Sequence, residues 1–211
     1  MSSVNNNLDG WIIINKDIGM TSRQVVNIIK KTIKVKKIGH AGTLDPLATG
    51  VLALAVGRAT KSVQYVMEGM KKYIFVIKWG ISTDTQDAEG KVLSKSNKKL
   101  NKIKLKKILK SIVGEINQVP PRFSAIKVNG KRAYDLARKG EKFNLNPRKV
   151  FLKKIEILYE KEDRTTFEIE CGKGFYVRSL VRDICKKLDI DGHVIDLKRT
   201  VSEPFDIKKS I

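Results

Sequence analysis

The segment from Gly39 to Lys61, GHAGTLDPLATGVLALAVGRATK, constrains the fold more than any other part of the chain. Pro46 fixes its own φ and favours an extended backbone at Asp45, and the glycines around them permit bends that larger residues resist. The apolar run Val51–Val56 then predicts a buried strand. The segment therefore predicts a stiff turn that presents one carboxylate at the edge of a sheet, as a nucleophile requires. Because Asp-Pro also opens ordinary turns, the dipeptide alone fits either interpretation.

The rest of the chain shows patterns of both strands and helices. Thr21 and Gln24 have the spacing of a capping box, and the apolar face of the helix that follows consists of Val25, Val26, Ile28 and Ile29. Further predicted strands are Gly10–Asn15, Lys72–Trp79, an antiparallel hairpin of Phe151–Glu160 with Thr165–Cys171, and a final strand Val194–Val201. Further predicted helices are Ala59–Glu68, Arg132–Arg138 and a helix from after Gly174 to Leu188. Without regular βαβ alternation, the pattern predicts an α+β fold.

The most basic run is Lys91–Lys110, which contains nine lysines and follows an acidic loop at 81–90. Leu105, Ile108, Leu109, Ile112 and Val113 recur at helical spacing, which predicts an amphipathic helix with a lysine-covered outer face. A solvated face explains the lysines better than a surface that contacts RNA directly.

The composition favours a nucleic acid as the partner. The 211 residues are enough for one large domain or two fused lobes, and they carry 43 Lys and Arg against 22 Asp and Glu, a formal charge of +21. Such a surplus attracts polyanions, because phosphates that are neutralised release their counterions. An anionic membrane surface is the competing interpretation, but no apolar run approaches the roughly 20 residues of a spanning helix.

Neither a secretory signal nor a bound metal is predicted. The first ten residues, MSSVNNNLDG, lack the charged-then-apolar order of a signal, and two cysteines cannot build a disulfide framework, so we expect a reducing cytoplasm. The histidines and cysteines have no zinc spacing, the acidic loop lacks the EF-hand pattern, and phosphate-binding glycine motifs are absent from the sequence. We therefore expect neither a metal nor an organic cofactor.

The loop around Asp45 closely resembles the catalytic loop of the TruB family, the tRNA pseudouridine-55 synthases. Further segments match that family in the same order and together cover nearly all of the chain: INKDIGMTS (14–22), KKYIFV (71–76), TDTQDAEG (83–90), VPPRFSAIKVNGKRAYDLAR (119–138), GKGFYVRSLVRDI (172–184) and GHVIDLKRT (192–200). Where the family has Lys-Pro in its first motif, this chain has Lys16-Asp17.

The resemblance implies a pseudouridine synthase fold, with a mixed, mostly antiparallel sheet flanked by helices and a thumb-like insertion at about 121–146. Since the chain stops at Ile211, we expect one catalytic domain over 1–211 without the RNA-binding PUA domain common in the family. The implied reaction converts a uridine in the T-arm loop of tRNA, at position 55, to pseudouridine. No obligatory protein partner is expected, and the lack of an apolar surface stripe favours a monomer.

The resemblance also assigns roles to individual residues. Asp45 is implied as the nucleophile, with attack on the ribose C1′ or on the uracil ring left open. Arg178 is implied as its cationic partner rather than a surface residue at a helix start, and Tyr73 as the ring that stacks on uracil rather than a core tyrosine. The remaining implied substrate contacts are His40, which helps displace the base, the pocket residues Tyr176 and Leu197, the lysines Lys16 and Lys61, and Arg199 as a structural or phosphate contact.

Three other functions remain open at this point. A non-catalytic protein that binds or folds RNA explains the charge but not the set of Asp45, Tyr73 and Arg178. The same chemistry on another RNA, as in the related guide-dependent enzymes, requires protein partners. A structural protein of a ribonucleoprotein leaves the Asp45 loop unexplained.

Overall fold

The computed structural model describes residues 8–211, so most of the N-terminal stretch on which the prediction about a signal rests lies outside the described residues. The strands are β1 (Gly10–Lys16), β2 (Ile38–His40), β3 (Thr49–Val56), β4 (Lys71–Trp79), β5 (Ile81–Thr83), β6 (Val92–Lys95), β7 (Gly114–Gln118), β8 (Lys127–Val128), β9 (Lys131–Arg132), β10 (Arg148–Glu160), β11 (Arg164–Cys171), β12 (Gly192–Ser202) and β13 (Phe205–Asp206). The helices are α1 (Ser22–Thr32), α2 (Val63–Glu68), α3 (Lys102–Ser111), α4 (Ala133–Arg138) and α5 (Val177–Leu188), with 3-10 turns at Gly57–Ser62 and Ile207–Lys209.

The described chain divides into two compact units, residues 8–74 with 197–211 and residues 75–196. In the first unit β3 is central, and its residues 51–56 are fully buried, as predicted for this run. β1 and β2 both pair antiparallel with β3, and the end of β12 pairs with it in parallel, with Arg199 opposite Gly50. This arrangement fixes the chain on both sides of the loop that precedes β3.

In the second unit the strand order is β4, β11, β10, β7. β10 pairs antiparallel with β11 and with β7, which confirms the predicted hairpin, and the stacked rings of Phe75 and Phe167 lie 5.3 Å apart between their centroids. β5–β6 and β8–β9 form two small antiparallel hairpins. The pairings of β10 with its two neighbours and both small hairpins are antiparallel, whereas β12 pairs in parallel with β3. This mixed, mostly antiparallel sheet with helices confirms the predicted α+β class.

Local sequence signals placed most elements correctly. The capping box at the start of α1 is present, since Gln24 N donates to Thr21 Oγ1 and Thr21 N donates to Gln24 Oε1. Val25 is buried, but Ile28 is 53% exposed, so the predicted apolar face of this helix is wrong at that position. Val26 and Ile29 are half-buried, so the apolar face is narrower than predicted.

The basic run Lys91–Lys110 does not form the single helix that its pattern predicts. Its first part forms β6, which pairs with β5 from the predicted acidic loop, and the helix α3 begins only at Lys102 with Asn101 as its N-cap. Leu105, Ile108, Leu109 and Ile112 are buried as predicted, whereas Val113 is exposed because it lies beyond the end of the helix. Two further boundaries differ: the predicted helix from Ala59 starts as a 3-10 turn, and β13 follows the strand predicted to be the last.

Both cysteines are thiols in buried positions, Cys171 in β11 and Cys185 in α5. Burial, with the nearby Asp191 carboxylate, raises the pKa of Cys185 to about 12. Within residues 8–211, no helix has both the length and the apolar character needed to cross a membrane. Over the same residues, no group of three or more His, Cys, Asp and Glu side chains is placed to hold a metal ion.

Candidate active site

Asp45 opens a tight turn immediately before β3. Ala48 N donates to Asp45 O at 3.0 Å, and Pro46 occupies the second position of the turn, where its fixed φ is favoured. The Asp45 residue is half-buried, and β3 begins four residues later. The predicted stiff turn is therefore confirmed, and it lies at the start of β3, which has neighbouring strands on both sides.

Lys16 supports this turn from the end of β1. Its side chain is almost fully buried, at 1% exposure, and Nζ donates to the carbonyl oxygens of Asp17 (2.8 Å), Met20 (2.7 Å) and Pro46 (3.2 Å). Gly19 N also donates to Pro46 O, at 2.8 Å. The loop after β1 is thus held to the Asp45 turn by a lysine, although it lacks the proline usual in the family.

Arg199 holds the base of the same loop. The residue is 1% exposed, and its guanidinium donates from Nε to Val51 O (2.8 Å) and from Nη2 to Gly42 O (3.0 Å). At Gly50, φ is +95° and a Cβ atom would lie 2.2 Å from Arg199 O, so only glycine permits this close approach of the two backbones. Of the two alternatives for Arg199, this geometry supports the structural one.

His40 ends β2 opposite Leu54 of β3 and is half-buried. Burial, and secondly the charge of Arg199, lower the pKa of its imidazole below the ordinary value, so the ring is neutral at pH 7. Its Nδ1 atom is buried and has no hydrogen-bond partner among the described residues. The structure thus provides a neutral, incompletely satisfied ring beside the loop that carries Asp45.

The other predicted residues of the first unit differ in exposure. Tyr73 in β4 is half-buried, Leu197 in β12 is buried, and Lys61 is exposed in the 3-10 turn before α2. The exposed ammonium group of Lys61 is free to approach a phosphate, and the burial of Leu197 fits core packing. The substrate contacts of these three residues stay predictions.

In the second unit, Tyr176 is the N-cap residue of α5 and is half-buried. The buried amide of Gln118, at the end of β7, binds both backbone groups of this residue: Nε2 donates to Tyr176 O at 3.1 Å, and Tyr176 N donates to Oε1 at 3.0 Å. Ser179 Oγ also donates to Val119 O, at 2.8 Å. The start of α5 is therefore tied to the end of β7.

Arg178 lies in the first turn of α5 and is 4% exposed, so the alternative of a surface residue is wrong. Its Nη1 donates to Thr85 O at 3.0 Å and lies 3.5 Å from Asp87 Oδ2, and its Nη2 donates to Phe123 O at 2.9 Å. The pairing of Arg178 with Asp45 stays a prediction, whereas its ion pair with the buried Asp87 carboxylate is present.

Three buried residues that hold backbone or charged groups were missed from the sequence: Ser22 in the first unit, and Asp87 and Gln118 in the second. Ser22 and Asp87 lie inside the motifs INKDIGMTS and TDTQDAEG, which gave a signal for the segments but not for these side chains. Gln118 precedes a motif, and nothing local distinguishes it from a surface glutamine. Ser22 and Gln118 bind backbone groups 22 and 58 positions away, and Asp87 pairs with the distant Arg178 besides its local hydrogen bonds with Thr85 and Glu89.

Comparison with solved structures identifies the class of fold. A chain in the "Crystal Structure of a Cbf5-Nop10-Gar1 Complex" aligns with a TM-score of 0.72 and 30% identity, over 93% of this chain and 50% of that one. A chain in the "Structure of H/ACA RNP bound to a substrate RNA containing 2'-deoxyuridine" aligns with a TM-score of 0.71 and 27% identity, over 96% of this chain and 50% of that one. The fold is that of the pseudouridine synthases.

Sequence comparison identifies the family within that class. The model of the family "TruB family pseudouridylate synthase (N terminal domain)" matches residues 30–177, and the chain belongs to this family. It is 47% identical to tRNA pseudouridine synthase B of Rhodopseudomonas palustris over 198 residues, 93% of this chain and 54% of that protein. It is 46% identical to the protein of that name from Cereibacter sphaeroides, over 97% of this chain and 68% of that protein. The chain thus spans between about half and two thirds of the length of these relatives.

Proposed function

We propose that this chain is a tRNA pseudouridine synthase, which isomerises a uridine of the T-arm loop, at position 55, with Asp45 as the nucleophile. The observation that carries the proposal is the Asp45 turn: a half-buried acidic residue lies directly before β3 in a turn held by backbone hydrogen bonds, within the segment that resembles the family's catalytic loop. The names of the relatives in Rhodopseudomonas palustris and Cereibacter sphaeroides support tRNA as the substrate.

The reaction breaks the bond between N1 of uracil and C1′ of ribose and forms a bond between C5 and C1′. The hydrogen on C5 leaves as a proton and N1 gains one, so no external reagent is consumed. Asp45 supplies the carboxylate that forms the transient covalent intermediate, either at C1′ or on the uracil ring. The ionised carboxylate is the reactive form, and Arg178 is proposed to orient it.

The uridine must leave the RNA stack before Asp45 reaches it. Extrusion costs a few kcal/mol, which a ring on the opened side offsets by occupying the vacated space. His40 suits this role because its neutral imidazole places no charge against the apolar face of a base. Tyr73 is proposed to stack on the extruded uracil. The exposed Lys61 is proposed to meet an RNA phosphate.

The test is release of tritium from tRNA transcript labelled at C5 of uracil. Wild type should release it, and Asp45→Asn should release none while its Kd for tRNA stays within about threefold of wild type, because only the nucleophile is lost. The matched control is Asp163→Asn, an exposed carboxylate paired with the adjacent Arg164, which should leave release unchanged. Turnover by Asp45→Asn would contradict the mechanism.

The same assay tests the rival functions. A protein that only binds or folds RNA gives tight binding without release in the wild type. An enzyme that depends on partner proteins gives release only when they are added, and the structural relative Cbf5 occurs in a complex with Nop10 and Gar1. We propose that the purified chain acts alone on tRNA and as a monomer, and sedimentation with and without tRNA tests the second point. The two buried thiols support a reducing cytoplasm as its place of action.

A further inference from the structure

The backbone on both sides of Asp45 is held by side chains from outside the turn. The carbonyl oxygens of residues 44, 45 and 46 each accept a hydrogen bond: Leu44 O from Ser22 Oγ at 3.2 Å, Asp45 O from Ala48 N, and Pro46 O from Lys16 Nζ and Gly19 N. Three consecutive peptide groups are thus fixed in direction. They fix the direction of the Cα–Cβ bond of Asp45, and with it the region that its carboxylate reaches through the side-chain rotamers.

Ser22 contributes most specifically to this arrangement. Its hydroxyl group donates to Leu44 O and also accepts from Leu44 N at 2.9 Å, so one side chain binds both backbone groups of the residue before Asp45. Ser22 is 2% exposed and lies 22 positions from Leu44 in the sequence. Water therefore cannot take over these bonds without opening the site.

The position of the Ser22 hydroxyl is itself fixed. Ser22 is the first residue of α1, directly after the N-cap Thr21, and the capping box with Gln24 holds this turn of the helix. A hydroxyl at this position is a short, stiff link between a helix terminus and the Asp45 loop. We propose that Ser22 is a positioning residue, which sets the direction of the Asp45 carboxylate through the Leu44 peptide groups and leaves RNA binding unaffected.

This inference rests on the proposed function, and it predicts a separation of chemistry from binding. In Ser22→Ala the single-turnover rate constant should fall about 100-fold, the loss expected for a reacting group displaced by about 1 Å. The Kd for tRNA should stay within about threefold, because the Ser22 side chain is buried and its hydroxyl group is used by Leu44. Ser22→Thr keeps the hydroxyl group, so its single-turnover rate constant should be at least about tenfold higher than that of Ser22→Ala.

The matched control is Thr165→Val in β11. Thr165 is fully buried and its hydroxyl accepts from Trp79 Nε1 at 2.9 Å, so this variant also loses a buried hydrogen bond, but in the other unit. It should lower Tm and leave the single-turnover rate near that of wild type. Two outcomes would overturn the inference. One is a fall of less than about threefold in the single-turnover rate constant of Ser22→Ala, and the other is an equal fall of this rate constant in both variants when both lose the same Tm.

Amide hydrogen exchange at Leu44 provides a readout that does not depend on activity. Exchange at Leu44 N should be slow in wild type and in Thr165→Val, and fast in Ser22→Ala, because the acceptor is gone. Unchanged exchange in Ser22→Ala overturns the inference with the proposed function intact. A wild type that releases no tritium overturns the proposed function, and with it the catalytic part of this inference, whatever the exchange shows.

Discussion

Replacing Arg199 with methionine tests how the Asp45 loop is held. Methionine fills most of the space of the arginine stem but donates no hydrogen bond, so the carbonyl groups of Val51 and Gly42 each lose their guanidinium donor. A buried acceptor left unsatisfied costs about 1–3 kcal/mol, which gives about 2–6 kcal/mol for the pair. Removing a buried charge regains part of its desolvation cost, so we expect a net loss of about 2–4 kcal/mol.

The assay is thermal unfolding of wild type and Arg199→Met at pH 7.5. For a chain of this size each kcal/mol corresponds to about 2–4 °C, so Tm should fall by roughly 4–16 °C. The matched control is Arg164→Met, which removes an exposed guanidinium paired only with its neighbour Asp163 and should change stability by less than about 0.5 kcal/mol.

A second readout separates the local effect from general destabilisation. The charge of Arg199 is the lesser of the two causes that lower the pKa of His40, so the variant should raise that pKa towards the ordinary value without reaching it, because the burial remains. Titration of the His40 ring by NMR measures this change. An equal Tm loss in both arginine variants, or a His40 titration that does not move, would refute the reasoning.

Three further predictions concern single positions. Gly50→Ala should lower the free energy of unfolding by about 3 kcal/mol or more, since φ strain of about 1–3 kcal/mol adds to a contact of 2.2 Å between the new Cβ and Arg199 O. Urea unfolding measures the loss, and Gly140→Ala is the control for the contact, because its φ is +72° but no atom lies within 4 Å of the new Cβ. The pKa of His40 is lowered in the folded state, so the unfolded chain takes up a proton more readily, and the free energy of unfolding should fall as the pH drops from the ordinary pKa of about 6.5 towards the folded value. Urea unfolding at pH 7.5 and 5.5 measures this fall, which should be smaller in His40→Gln because that variant lacks the titrating ring. Thr21→Ala should cost about 1 kcal/mol by removing the N-cap bond to Gln24 N, and an equal Tm in the two proteins would contradict this.

Elements set by neighbouring residues were predictable from the sequence. The capping box at Thr21 and Gln24, the buried β3 and the hairpin of β10 and β11 each follow from residue types a few positions apart. The helix expected over Lys91–Lys110 failed for a related reason. Lysine is compatible with a helix and with a short exposed strand, so its count did not locate the start of α3.

Side chains that act across the fold were not predictable in this way. Family resemblance identified Lys16 and Arg199, but their burial against carbonyl groups shows only in three dimensions. The links from Ser22 to Leu44 and from Gln118 to Tyr176 join positions 22 and 58 residues apart. No local pattern records such a pair, since the partner in each case is a backbone group that every residue possesses.

The inaccessibility of the two native thiols has a practical consequence for following the protein in solution. The chain contains no other cysteine, Cys171 is fully buried, and the pKa of about 12 at Cys185 leaves almost no thiolate at neutral pH. Maleimide dyes should therefore leave the wild-type protein unlabelled. A single cysteine introduced by Lys61→Cys, in an exposed turn, then becomes a unique attachment point for a fluorophore that reports the arrival and departure of RNA in real time.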